Sequence, residues 1–342
     1  MARVNVVAWH NGGGLSRDVY ILLDVLRASS YEAHINGEPA ARSCLHPLRD
    51  QHRALNADWR RVQQKLAAQP RYEINLFLEE ILPAYLPFAR QQALIPNPEW
   101  FRPESAQALS TIDWVLCKTR SAQATFEALG RKTRFIGFTS FDRFDPGSGS
   151  STPLSFLHLA GRSWQKGTQA LIELWGQRPD WPSLTLVQSP ILADGTEAEP
   201  IEADNVQHIL KRLDDMTLQR HQNAHGIHLC PSEAEGFGHT IVEAMSCAAL
   251  TLTTDAPPMN ELVTPDRGVL VGYHRTYDQN LATAYEVSLA DLERKIDRIL
   301  TMDVATRRQL GIEAQCWYKR NDERFRRRLI ATLEDMGAIA NA

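Results

Sequence analysis

Short apolar runs alternate with longer amphipathic stretches along most of the chain, and this alternation constrains the fold more than any other feature. Runs at Val4–Trp9, Ile74–Leu78, Trp114–Cys117, Arg134–Phe138, Phe156–Ala160, Leu184–Val187, Ile227–Cys230, Leu250–Thr253 and Val269–Val271 read as strands. Leu15–Ala28, Ala122–Leu129, Thr168–Gly176 and His239–Ala248 lie between them and read as helices. Strand–helix alternation builds α/β units with parallel sheets, and strands covered on both faces read as continuous apolar runs. The expected fold class is therefore α/β.

The chain has 342 residues. At roughly 150 residues per domain, that length suggests two domains. Phe144–Pro153 is rich in Gly, Ser and Pro, which is linker composition. It divides the chain into residues 1–150 and 151–315, each an α/β half. Val304–Met336 reads as a helix, and residues 316–342 are expected to pack back on the first half.

Net charge is −4, with an isoelectric point near 6.3, which argues against a surface coated for nucleic acid. Lys319, Arg320, Arg324, Arg326, Arg327 and Arg328 nevertheless cluster near the C-terminus. They form either a solvated helix face, with Asp322 and Glu323 offsetting part of the charge, or a contact for a phosphate-rich partner such as an anionic membrane surface or an acceptor. The five cysteines are odd in number and widely spaced, without a CxxC, which points to a reducing cytoplasm, and those in apolar runs, Cys117 and Cys230, read as buried thiols. No run approaches the roughly 18–20 apolar residues of a membrane span.

Ile227–Cys230 leads through Pro231, Ser232, Glu233, Ala234, Glu235, Gly236, Phe237 and Gly238 into a helix that starts at His239. A Gly-containing loop between a parallel strand and a helix occupies the place where open α/β sheets bind ligands. The N–H groups and positive dipole end of such a helix suit a diphosphate, which Gly236 and Gly238 let the backbone approach. Glu235 and Glu243 would be repelled by a diphosphate. They make sense as acceptors for hydroxyls on either side of it. A nucleotide sugar has that layout.

This segment resembles the Glu-x7-Glu motif of the GT4-like family of retaining glycosyltransferases. The resemblance implies a GT-B fold, two Rossmann-like domains facing a cleft. It implies that Glu235 contacts the donor sugar and Glu243 the ribose, while groups around Phe237, Gly238, His239 and Thr240 hold sugar and phosphates. A second match is Gly161-Arg162-Ser163-Trp164-Gln165-Lys166-Gly167. By resemblance, Arg162 and Lys166 bind the diphosphate and stabilise the leaving group, with Ser163 a possible contact. Fixed cations neutralise charge developing on a departing nucleoside diphosphate.

In the N-terminal half, Gly12, Gly13 and Gly14 follow the first strand and match the family's glycine loop in position. The plain alternative is a tight strand-to-helix turn. His10 borders that loop, and Glu79 and Glu80 end the Ile74–Leu78 strand, so all three are possible substrate contacts. Ile95–Phe101 and Thr139–Asp142 are further strand-end candidates, with structural roles equally open.

The resemblance implies retaining transfer of a sugar from a nucleotide-diphosphate donor to an acceptor hydroxyl, which is left open among a polysaccharide, a lipid-linked glycan, a protein, a small molecule and, less expectedly, modified DNA. The chain has no Asp-x-Asp, the motif that holds a metal in the other glycosyltransferase fold, so the reaction is expected to need no metal or cofactor. A sugar-nucleotide epimerase and a non-catalytic nucleotide-sugar-binding module are the alternatives. A cytoplasmic location without a membrane span, peripheral membrane contact remaining open, completes the expectation.

Overall fold

A computed structural model describes residues 2–8, 13–36, 70–147 and 154–340. The Cα arrangement divides the chain into two compact units, residues 1–140 with 323–342, and residues 141–322.

The first unit contains β1 (Ala2–Val7), α1 (Gly14–Arg27), β2 (Tyr31–Asn36), β3 (Tyr72–Leu78), β4 (Ala89–Ile95), β5 (Trp114–Cys117), α2 (Arg120–Ala128) and β6 (Thr133–Phe135). The strands form one parallel sheet in the order β2-β1-β3-β4-β5-β6. Two of its strands, β2 and β4, are absent from the sequence-based assignment. In β4, Gln91 and Gln92 interrupt the apolar run that marks a buried strand. The structure shows why amides are tolerated there. Asn36 donates to Asn5 (2.6 Å), Asn5 to Asn75 (2.7 Å) and Asn75 to Gln92 (2.8 Å), making an amide ladder across four strands. Buried polar groups are affordable when each donor finds an acceptor.

The long helix α8 (Val304–Ala340) contributes its last part to this unit. Phe325, Leu329, Leu333 and Met336 are buried at helical spacing, and Phe325 packs 4.7 Å from Phe138. Arg326 reaches Asp24 of α1 at 2.7 Å.

The second unit contains β7 (Phe156–Gly161), α3 (Thr168–Gln177), β8 (Leu184–Gln188), β9 (Val206–Leu210), α4 (Asp215–Ala224), β10 (Ile227–Cys230), α5 (His239–Ser246), β11 (Leu250–Thr254), α6 (Met259–Leu262) and β12 (Val269–Val271). An antiparallel hairpin, β13 (Tyr273–Gln279) with β14 (Ala282–Val287), and helix α7 (Leu289–Thr301) follow. Its main sheet is parallel, ordered β12-β11-β10-β7-β8-β9. The core gathers Phe156, Trp175, Trp181, Leu184, Leu229 and Ile296, with the two tryptophan rings 4.9 Å apart.

Two local details correct expected boundaries. Helix α5 ends at Ser246, before Ala248, because Ala248 takes φ +56°. A non-glycine residue rarely adopts that angle outside a helix terminus. The strand expected over Arg134–Phe138 stops at Phe135, followed by Gly137 at φ +69°. Residues 144–147 of the linker region, and 141–143 before it, group with the second unit. Arg143 is held there by Ser246, which accepts from its N–H, and by Gln219 and Asn223, which donate to its carbonyl. Residues 148–153 lie outside the described residues. Among the described residues, no helix is long and apolar enough to cross a membrane.

Candidate donor-side site

In the second sheet β7 lies in the middle, with β8 and β9 on one side and β10, β11 and β12 on the other. The strand order therefore reverses between β7 and β10, and ligands bind open α/β sheets at the carboxyl ends of the strands flanking such a switch point. The two loops that leave those ends are 161–167 and 231–238, the two segments that carried the sequence motifs.

The loops are bonded to each other. Glu233 donates its N–H to the Gln165 carbonyl at 2.8 Å. Lys166 Nζ meets Glu235 Oε1 at 2.5 Å, and Ser232 Oγ donates to the same oxygen at 2.7 Å. Both side chains of the pair are largely buried, with 17% and 9% exposed. Close approach of the loops needs Gly167, which sits at φ +68°. A Cβ there would lie 2.1 Å from the Pro231 carbonyl oxygen. Gly238, at φ +107°, starts α5, and no side chain caps that helix. The N–H groups at its start are oriented as an anion site. Phe237 is buried, its ring 5.5 Å from His239, while His239 and Thr240 are partly exposed at the first turn. Gly236 takes no left-handed angle, so of the two loop glycines only Gly238 is required by backbone conformation.

Arg162 and Glu243 stand apart from the Lys166–Glu235 pair. The Arg162 guanidinium donates to the carbonyls of Ile191 (3.3 Å) and Leu192 (3.1 Å), in the loop after β8. Ser163 caps the short turn at 164–166, accepting from Gln165 N–H. Glu243 is fully buried. Its carboxylate accepts from Gln222 at 2.9 Å and lies 3.8 Å from Arg143 Nε, and Arg143 also pairs with Asp215 at 2.7 Å. In this arrangement Glu243 has no solvent-facing surface for a ribose, and it ties α5 to α4 and to the chain entering the unit.

Several participants carry no motif of their own. Ser232 was readable as part of the strand-end segment. Tyr277 of the hairpin was not, yet its hydroxyl donates to Glu233 at 2.5 Å and its ring stacks on Trp164, centroids 6.2 Å apart. Burial raises the Glu233 carboxyl, and the Tyr277 hydrogen bond partly opposes this.

In the first unit the strand order reverses between β1 and β3. Gly13 caps α1 and Gly14 is its first residue. His10 and Gly12 lie outside the described residues. Glu79 follows β3 in the left-handed region, φ +64°, and accepts from Asn97 at 3.0 Å. Burial raises its carboxyl above the ordinary range, while the Asn97 bond and the Lys118 charge pull it down. Glu80, next to it, is exposed. A buried ion pair at the end of β5, Lys118 with Asp18 of α1 at 2.8 Å, escaped sequence reasoning. The apolar run preceding Lys118 was its only signal.

The family model described as "Glycosyl transferases group 1" matches residues 196–317, which include Glu235 and Glu243. The chain carries a glycosyl transferases group 1 region and is a glycosyltransferase. Solved structures align over nearly its whole length. Sucrose-phosphate synthase from Thermosynechococcus elongatus has a TM-score of 0.71 at 16% identity, covering 99% of this chain and 100% of that one. Anabaena HepE in complex with UDP-glucose has a TM-score of 0.72 at 16% identity, covering 98% and 100%. The E. coli trehalose-6-phosphate protein bound with UDP-2-fluoro glucose has a TM-score of 0.66 at 12% identity, covering 98% and 99%. The fold of this glycosyltransferase is accordingly GT-B, with two parallel six-stranded sheets. No curated protein sequence matches the chain significantly.

Proposed function

We propose that this glycosyltransferase takes its sugar from a nucleotide-diphosphate donor, transfers it to an acceptor hydroxyl with retention of anomeric configuration, and needs no metal. The observation that carries the reading is the Lys166–Glu235 pair between the two switch-point loops, beside the uncapped start of α5. The complexes of HepE with UDP-glucose and of the E. coli protein with UDP-2-fluoro glucose support a UDP-sugar as donor.

In this reading the diphosphate lies against the first N–H groups of α5, with Lys166 turned toward it. Arg162 leaves the Ile191 and Leu192 carbonyls to join. Glu235, held by Ser232, accepts a sugar hydroxyl. The bond between the anomeric carbon and the phosphate oxygen breaks, and the electron pair leaves on the nucleoside diphosphate. Lys166, Arg162 and the helix N–H groups stabilise that charge in place of a metal ion. The acceptor oxygen bonds to the anomeric carbon on the same face, and its proton passes to the departing phosphate oxygen, so no protein base is needed.

A nucleotide-sugar panel, read by thermal shift and then by product NMR in excess EDTA, tests this. Stabilisation by one donor and a product with the donor's anomeric configuration are expected. An inverted product overturns retention, and activity abolished by EDTA and restored by Mg²⁺ overturns metal independence.

A further inference from the structure

The first unit holds an open pocket of about 360 Å³ away from the strand-end loops described above, lined by α2 (Arg120, Gln123), β6 (Thr133, Arg134, Phe135) and the last part of α8 (Arg328, Thr332, Asp335 among others); of the C-terminal basic cluster, Arg328 is the member that lines it. Its lining sets three arginines against one aspartate. A further carboxylate, Glu127, accepts from Gln123 and Thr133 and so stands close by. Two of the guanidinium groups share one aromatic ring: Arg120 Cζ lies 3.8 Å and Arg328 Cζ 5.1 Å from the Phe135 centroid. Arg134 rests over Trp114 at 5.0 Å. Stacking on an aromatic face fixes the plane of a guanidinium and the direction of its edge, and Arg120 Nη1 donates to Gln123 at 2.8 Å within the lining.

The arrangement brings like charges together. Burial first, and then the positive charges of Arg120, Arg324 and Arg327, lower the Arg328 guanidinium from its ordinary value. An anion placed among these groups would relieve that repulsion. Planar forks suit an oxyanion that can accept paired hydrogen bonds, and phosphate is the usual one. Thr332 adds a hydroxyl to the lining, whereas the Thr133 hydroxyl is committed to Glu127. The cavity is at the small end of ligand pockets, the size for a phosphoryl group and a short attached moiety.

We propose that this cavity is a binding site for a phosphoryl group, separate from the donor loops of the second unit. Arg120 and Arg328 are its principal ligands, and Arg134 is an outer contact. The same chemistry is offered by a soluble phosphate compound or by a phospholipid headgroup.

The full chain carrying Lys166→Ala, which removes the donor-loop cation, is titrated with inorganic phosphate by calorimetry. It is also sedimented with phosphatidylcholine vesicles, with and without phosphatidic acid. Saturable phosphate binding, weakened about tenfold or more by Arg120→Gln/Arg328→Gln and little changed by Arg324→Gln/Arg327→Gln, is the expected result. Binding confined to phosphatidic acid vesicles with the same variant pattern assigns the phosphoryl group to a lipid. Equal weakening by the two double variants means diffuse attraction and overturns the site, as does binding in neither arm. Should the first double variant fail to fold, Arg328→Lys keeps the charge and loses the fork. Unchanged affinity in that protein overturns the proposal as well.

Discussion

Replacing Glu243 separates two roles for the second glutamate of the motif, a ribose contact and an internal strut. The carboxylate is fully buried, accepts from the equally buried Gln222 at 2.9 Å and lies 3.8 Å from Arg143, whose side chain is 5% exposed. Removing one member of a buried charge pair costs about 3–5 kcal/mol. The lower end applies here, because Arg143 keeps Asp215 at 2.7 Å, so Glu243→Ala is expected to cost about 3 kcal/mol. For a unit of this size that is roughly 6–12 °C in Tm. Glu243→Gln keeps the volume and an acceptor oxygen for Gln222, and is expected to cost about 1–2 kcal/mol. Scanning calorimetry of the donor-free chain reads the loss. Donor affinity, measured well below the variant's Tm, is expected to change little. A Tm within about 2 °C of the unmutated chain together with tenfold-weaker donor binding would refute the strut and return Glu243 to the ribose.

Four further expectations follow the same logic. Lys166→Met removes the cation proposed for the leaving diphosphate, and kcat is expected to fall about 10²–10³-fold in initial-rate assays; a loss under threefold rejects that role. Gly167→Ala places a Cβ against the Pro231 carbonyl at a left-handed φ, so both stability and donor binding are expected to drop, read by denaturant unfolding and donor titration; an unchanged midpoint would show that the two loops can separate freely. His158 and His228 are buried and neutral, with burial lowering both imidazoles from 6.5 to about 4. Lowered histidines give stability that is present above pH 6.5 and lost as pH falls toward 4, about 3 kcal/mol each, so His158→Gln is expected to flatten the acid limb of an unfolding titration. Glu79 has the opposite sign among folded groups: its carboxyl is raised by burial, so its contribution is full below pH 4.5 and lost as pH rises through the folded value. Urea unfolding of Glu79→Gln is therefore expected to show a stability advantage over the unmutated chain that grows above pH 4.5.

Much of the fold was legible because buried parallel strands are continuous apolar runs. Trp114–Cys117, Ile227–Cys230 and Val269–Val271 were located to the residue. Strands whose stability comes from elsewhere were not. β4 depends on an amide ladder that only exists once Asn5, Asn75 and Gln92 are in register, and β9 is an edge strand with Gln207 and His208 in mid-run. At the site, Lys166 and Glu235 were readable because each lies in a glycine-containing loop a few residues beyond a strand, in segments that resemble the family's motifs. The burial of Glu243 was not, since it depends on Gln222 and Arg143, which come from distant parts of the sequence. Tyr277 was equally silent, because a hairpin residue carries no sign of the loop it will brace.

Lys166 and Glu235 are separated by 69 residues and meet only when β7 and β10 lie side by side. Loop closure over that span has to precede any reward from the contact, so the pair forms with the whole sheet and not before it. A nascent or partly unfolded chain therefore has no donor site to fill. Whatever binds between these loops acts as a gauge of completed folding, and its presence slows proteolysis of the entire second unit, including segments far from the ligand.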